Sequence, residues 1–137
     1  MPPRITPDSN ILISALIFGG NPLRLLEMAL SDEVAMFVSD AILQETLRVL
    51  RDKFGFSDER LVRAEKYITD CTKRVNPAET LDVVKEDPDD NRVLECAEAA
   101  GCEAVITGDL DLLRLGKYRE IRIMTVREFL NRGTTDR

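Results

Sequence analysis

Short apolar runs alternate along this chain with stretches of helical period. Residues 5–8 read as a brief first strand ending on Asp8. The run at 10–18 (NILISALIF) is apolar almost throughout. It predicts a buried helix, although such a run by itself could equally be a strand. Gly19-Gly20-Asn21-Pro22 stops it, and Pro22 suits the first turn of a further helix over 23–30. A second strand is expected at 34–39. A helix follows over 40–53, with Ile42, Leu43, Leu47 and Leu50 on its apolar side. Another helix runs from Ser57 to about residue 73. Residues 81–84 read as a third strand. Asp87-Pro88 has the form of an N-cap and a first-turn proline, opening a helix over 88–100 that stops at Gly101. A strand at 104–107, a short helix at 110–115 and a last strand at 121–124 follow. Thr125-Val126-Arg127-Glu128 is a capping-box pattern that starts a C-terminal helix. This alternation predicts an α/β fold with a parallel sheet, in one domain over 1–132 with a tail at 133–137.

Composition narrows the chemistry. The chain has 137 residues, 44% hydrophobic and 32% charged, an ordinary globular mix. No apolar run approaches the roughly 20 residues that span a bilayer. The N-terminus has no signal-peptide pattern, so no membrane association and a cytoplasmic location are expected. Cys71, Cys96 and Cys102 form no CxxC pair and are odd in number, which predicts buried, reduced thiols. Histidine is absent. That removes the commonest general base and any Ser-His-Asp arrangement, and leaves zinc without an imidazole ligand. Hydrolytic chemistry would then fall to carboxylates, lysine, cysteine or a metal. A net charge of −6 and a pI near 4.8 argue against a simple basic nucleic-acid module. They still allow an enzyme in which a bound cation provides local positive charge.

Four acids stand out by position. Asp8, Asp90 and Asp109 each lie just beyond a predicted strand, and Glu45 lies in the second turn of a helix. In an open α/β sheet, sites form beyond the carboxyl ends of the strands, so acids delivered there converge. Converged carboxylates repel by roughly 4 kcal/mol per close pair at an effective dielectric of about 20, and a hard divalent cation relieves this. Asp8, Ser9 and Asn10 also serve as helix caps, and Asn10 has the chemistry to orient Asp8. Glu45 lies on or beside the buried stripe of its helix. It either pairs with a cation such as Arg48 or points into an acidic pocket. Asp87, Asp89 and Asp90 exceed what a cap requires. Asp87 fits the cap, Asp90 fits a ligand one turn in, and Asp89 is expected to face solvent. In Thr107-Gly108-Asp109-Leu110-Asp111, Asp109 is placed at the rim of the pocket with Asp111 nearby.

These stretches together resemble the PIN-domain ribonucleases, in particular a short bacterial and archaeal branch described as toxin components of toxin–antitoxin pairs. The matching residues are Asp8 to Leu16, Gly19 to Pro22, Ser39 to Glu45, Asp87 to Asn91, Thr107 to Leu113 and Ile121 to Leu130. They run in family order over nearly the whole chain. The resemblance implies a three-layer α/β/α fold around a parallel sheet of four to five strands. It carries the four family acids onto Asp8, Glu45, Asp90 and Asp109, with Asp87 as the alternative third position. It also matches Thr107 to a hydroxyl position beside the acids. Ser9 replaces the usual threonine of the first motif and keeps its hydroxyl. Pro7 replaces an apolar strand residue and is expected to shorten or bend the first strand.

By the same resemblance, the implied activity is Mg²⁺- or Mn²⁺-dependent cleavage of RNA phosphodiester bonds. Asp8, Asp90 and Asp109 would be the ligands, and Glu45 a further ligand or the group that deprotonates water. Asn10, Asp87, Thr107 and Asp111 would support them, and Arg48 and Arg92 could touch phosphate. An antitoxin protein and a homodimer are the partners implied. Two other readings stand beside this one. The first is a catalytically silent binding or regulatory subunit of the same fold. The second is a Mg²⁺-dependent phosphotransfer domain of receiver type, which would need a phospho-accepting aspartate at a middle strand end and a late strand-end lysine. The second strand here ends at Ser39, and Lys117 closes no predicted strand.

Overall fold

Burial on both faces selects the strands. Ile5, Thr6 and Pro7 are all buried, as are all four residues of Ala35–Val38 and all three of Ala104–Ile106. Such unbroken burial is typical of a parallel sheet covered on both sides. The computed structural model describes the backbone of residues 1–135 and the side chains of residues 1–132. In chain order the elements are β1 (Arg4–Pro7), α1 (Ser9–Phe18), α2 (Gly20–Leu30), β2 (Ala35–Val38), α3 (Asp40–Asp52), α4 (Asp58–Cys71), β3 (Lys73–Arg74), α5 (Pro88–Ala100), β4 (Ala104–Ile106), α6 (Leu110–Leu115), β5 (Lys117–Tyr118), β6 (Ile121–Met124) and α7 (Val126–Thr135). Of the tail expected at 133–137, α7 takes in the backbone to Thr135, and Asp136 and Arg137 lie outside the described residues.

Among the described residues the sheet has six strands in the order β3-β2-β1-β4-β6-β5. Every pairing is parallel except β5 with β6. The helices flank it in three layers, α/β/α. The sheet exceeds the expected four to five strands because β3 and β5 are two-residue edge strands, too short to leave a periodic signal. No single helix among the described residues is long and apolar enough to cross a membrane. The apolar α1 earns its composition as a core helix: Ile11, Leu12, Ile13 and Ala15 are buried.

The segment at 81–84 is a correction to the sequence reading, because it forms no strand. Its backbone groups are met by side chains of α5 instead of by a neighbouring strand. Asn91 Oδ1 accepts from the backbone N–H groups of Val83 and Val84, both at 2.8 Å, and Asn91 Nδ2 donates to the Val84 carbonyl at 2.9 Å. Leu81 N donates to Glu95 at 2.7 Å. Leu81 and Val84 are buried, so the apolar spacing reflects real packing without a ladder. The effect is to hold the chain that leads into Asp87 against the helix that Asp87 caps.

Local signals elsewhere behave as their chemistry requires. Asp87 caps α5 by accepting from Asp89 N, and Gly101 ends the helix at φ 63°, a left-handed conformation that glycine adopts without strain. Thr125 and Glu128 form both reciprocal bonds of the capping box, at 3.1 and 3.0 Å. Pro7 ends one ladder and not the other. β1 pairs with β4 as far as Pro7 opposite Ile106, and Asp8 N still donates to the Ile106 carbonyl. With β2 the pairing stops at Ile5 opposite Met36. The residue without an N–H thus sits where pairing to β2 has ceased.

Candidate functional site

β1 has β2 on one side and β4 on the other, so the strand order reverses there. At such a switch point the connections after adjacent strands diverge and leave a crevice beyond the strand ends. Asp8 follows β1, and Thr107 to Asp109 follow β4, so both arrive at this crevice. Asp8 is 4% exposed. Both its oxygens are engaged: Oδ1 accepts from Ile11 N at 3.0 Å, capping α1, and Oδ2 accepts from the Thr107 hydroxyl. The same Thr107 oxygen accepts from Asp109 N at 2.9 Å. One buried hydroxyl therefore ties the ends of β1 and β4 together and fixes the Asp8 carboxylate and the Asp109 backbone. Asp109 in turn caps α6 by accepting from Leu112 N at 3.1 Å.

α5 brings the next acids over the crevice. One carboxylate oxygen from each of Asp87, Asp90 and Asp109 lies within 4.8 Å of the other two. Asp90 is 6% exposed, and its buried Oδ2 has no hydrogen-bond partner among the described residues. A buried oxygen of this kind is costly unless something absent from the protein itself satisfies it. Burial raises the Asp90 carboxyl to about 8, with further elevation from Asp109, Asp87 and Asp8. Burial likewise lifts Asp8 from 3.8 to about 6, against the lowering effect of its bonds to Thr107 and Ile11; the charges of Asp109 and Glu45 add to the rise.

α3 contributes Glu45. Its Oε2 accepts from Ser9 at 2.8 Å, and its Oε1 lies 3.9 Å from Arg48. The pairing with Arg48 is thus present; Glu45 is not one of the three acids that converge, and its acidic neighbours are Asp89 and Asp8. Its pKa is raised, first by burial, then by the neighbouring Asp89.

The expectations for Asn10, Arg92 and Asp111 are corrected here. Asn10 is exposed and makes no side-chain bond to Asp8 among the described residues; Thr107 orients Asp8, and the first motif contributes through Ser9. Asp89 is exposed as expected, and its charge acts on Glu45. Arg92 is no free phosphate contact. It donates to the Leu81 carbonyl at 3.1 Å and pairs with buried Glu95 at 2.8 Å. Asp111 lies outside the cluster and pairs with Arg114 at 2.8 Å. Asp87, expected as the alternative third acid, joins Asp90 and Asp109, whereas Asp8 stands beside them with its oxygens already bonded. The excess of acids at 87–90 was the signal for this. Glu95 was missed, and a buried glutamate next to an arginine in sequence offers little to reveal it. The three cysteines are free and buried, with Thr6 Oγ1 3.3 Å from Cys102 Sγ and 3.7 Å from Cys96 Sγ.

The donor set is entirely carboxylate oxygen, with one buried oxygen unsatisfied. That is the chemistry of a site for a hard divalent cation such as Mg²⁺ or Mn²⁺, and the residues fit one. The family model described as PIN domain matches residues 4–111. The crystal structure of PAE2754 from Pyrobaculum aerophilum is similar in fold, with a TM-score of 0.59 at 16% sequence identity, covering 98% of this chain and 99% of that one. No curated protein sequence matches the chain.

Proposed function

This chain belongs to the PIN domain family, a nuclease-type fold, and from that premise we propose that it is a metal-dependent endoribonuclease that hydrolyses RNA phosphodiester bonds. The observation that carries the proposal is the convergence of Asp87, Asp90 and Asp109 on a common point, with a buried Asp90 oxygen left without a partner. Asp87, Asp90 and Asp109 would hold the ion. Asp8 would border them and keep the local field negative. A bound divalent cation neutralises phosphate charge and acidifies its water at near-neutral pH.

The chain's own residues supply the rest. Thr107 fixes Asp8 and the Asp109 backbone in a single arrangement, so the ligands need little reorganisation. Glu45 has a raised pKa and an oxygen free of the Ser9 bond, which suits it to accept a proton from an attacking water. Ser9 holds the other oxygen in place. A role as the toxin of a toxin–antitoxin pair, with an antitoxin protein covering the acidic crevice and a homodimer as the assembly, belongs to the same proposal and rests on the family resemblance alone.

The test is cleavage of single-stranded RNA by protein free of contaminating nuclease, with Mg²⁺ or Mn²⁺ and with chelator. Asp90→Asn is expected to remove both cleavage and the calorimetric signal of metal binding. Cleavage that survives this change, or that persists in chelator, would sink the proposal. Metal binding without cleavage of any RNA would instead favour the silent binding subunit.

A further inference from the structure

A second feature opens directly off the acidic crevice. α3 and α4 wall a cleft of about 580 Å³, and Asp89 from α5 joins it beside Glu45. Along α3 the cleft is lined by Glu45, Arg48 and Arg51, each three residues after the last. At that spacing they share one face and step away from the acids by roughly 4.5 Å per residue pair along the helix axis. The Arg48 side chain is 54% exposed, and its ion pair with Glu45 is long at 3.9 Å; the Arg51 side chain is 59% exposed and pairs with its exposed neighbour Asp52. Pairs of this kind contribute little and yield readily to a stronger anion.

The charged groups lining the cleft are Arg48 and Arg51 with Glu45, Glu65 and Asp89: Glu45 and Asp89 stand at the end nearest the acids and the two arginines follow along α3, whereas Arg60 and Arg63 line a different surface. The walls are set firmly. Ile13, Leu50 and Ala64 are buried together beneath them, with Leu47 and Leu61 packed on top, so α1, α3 and α4 form one unit. Among the described residues, no aromatic side chain lines the cleft.

Resting on the nuclease reading above, we infer that this cleft holds the substrate strand next to the scissile phosphate, with Arg48 and Arg51 contacting successive phosphates. Ala41, Leu47 and Leu61 offer apolar surface to sugars, and contacts to phosphate carry no base-sequence information, so the cleft is tolerant of sequence. Glu65, exposed on the α4 wall, opposes this charge and weakens binding.

The experiment is fluorescence anisotropy of a labelled single-stranded oligouridylate in chelator, titrated across a salt series. Replacing both arginines (Arg48→Gln with Arg51→Gln) is expected to weaken binding and to flatten the salt slope by about 1.4, near 0.7 for each lost phosphate contact on a single strand. Arg51→Gln alone, which leaves Glu45 its cation, is expected to show about half of that. Glu65→Gln is expected to tighten binding, a gain that misfolding cannot imitate. Arg122→Gln with Arg127→Gln, on the surface beside α7, is expected to change nothing. With Mg²⁺ present, the arginine pair should raise KM more than it lowers kcat, while metal binding by calorimetry holds.

An unchanged salt slope in the double variant overturns the inference, as does weaker binding in Glu65→Gln. So does competition by poly-glutamate equal to that of the oligonucleotide, which would mark the cleft as a protein-docking groove. Should the wild type cleave RNA while the arginine variants keep its KM and slope, the cleft assignment falls and the nuclease reading stands. Should the wild type bind through the arginines yet cleave nothing with either metal, the reverse holds.

Discussion

Asp8→Asn should make the metal-free protein more stable while disabling it. Asp8 is buried, and its carboxyl rises from 3.8 to about 6. The unfolded chain releases this proton near 3.8, the folded chain only near 6. Between those values the folded state binds more protons, so stability falls as pH climbs through the window and stays low above it. At about 1.4 kcal/mol for each pH unit, the rise corresponds to about 3 kcal/mol of destabilisation once Asp8 is ionised. Asparagine is nearly isosteric, carries no charge, and caps a helix as well as aspartate does, so the bond from Ile11 N survives. Its amide meets the Thr107 oxygen less well than the carboxylate does, which trims the gain to roughly 1–3 kcal/mol. For a domain of this size that is a rise in Tm of roughly 3–10 °C. The assay is thermal unfolding followed by far-UV circular dichroism in chelator, at about pH 4 and about pH 8. The variant should match the wild type at the lower pH, where Asp8 is already protonated, and exceed it at the higher. Added Mg²⁺ should narrow the gap by stabilising the wild type. An equal difference at both pH values, or a variant less stable at about pH 8, would refute the argument that desolvated charge in this crevice destabilises the fold.

Two further substitutions probe what supports the site. Thr107→Val removes the hydroxyl that links Asp8 to Asp109 and should cost about 1–3 kcal/mol of stability, with a clear loss of cleavage, while Thr107→Ser keeps most of both; chemical denaturation and a cleavage assay read the two effects, and an active valine variant would deny Thr107 its positioning role. Arg92→Ala should destabilise by roughly 3–5 kcal/mol, because it strands buried Glu95; denaturation that shows no loss, together with weakened RNA binding, would restore Arg92 as a phosphate contact.

Caps, stops and amphipathic faces were legible from residue order because each is decided within a turn or two of helix. Asp87-Pro88, Gly101 and the Thr125 to Glu128 box all act across at most four residues, and all form as their chemistry requires. The resemblance extended that reach to the four acids, and the structure brings their elements to the same crevice. Other matters depend on partners distant in sequence. Residues 81–84 have the apolar spacing of a strand, but Asn91 and Glu95 reach back from α5 to take their backbone groups, so no ladder forms. Thr107 lies 99 residues from Asp8, and nothing local marks its hydroxyl as the link between them.

The order of residues thus determined the helices and the longer strands, though not β3, β5 or the course of residues 81–84, and supplied an excess of carboxylates at their ends. Only the tertiary structure decided which oxygens meet. Placing β1 between β2 and β4 opens a crevice, the cap at Asp87 turns that side chain toward Asp90 and Asp109, and burial removes the water that would otherwise screen them. A side chain's direction in space depends on strand order and packing across the whole sheet, which no single stretch of residues encodes.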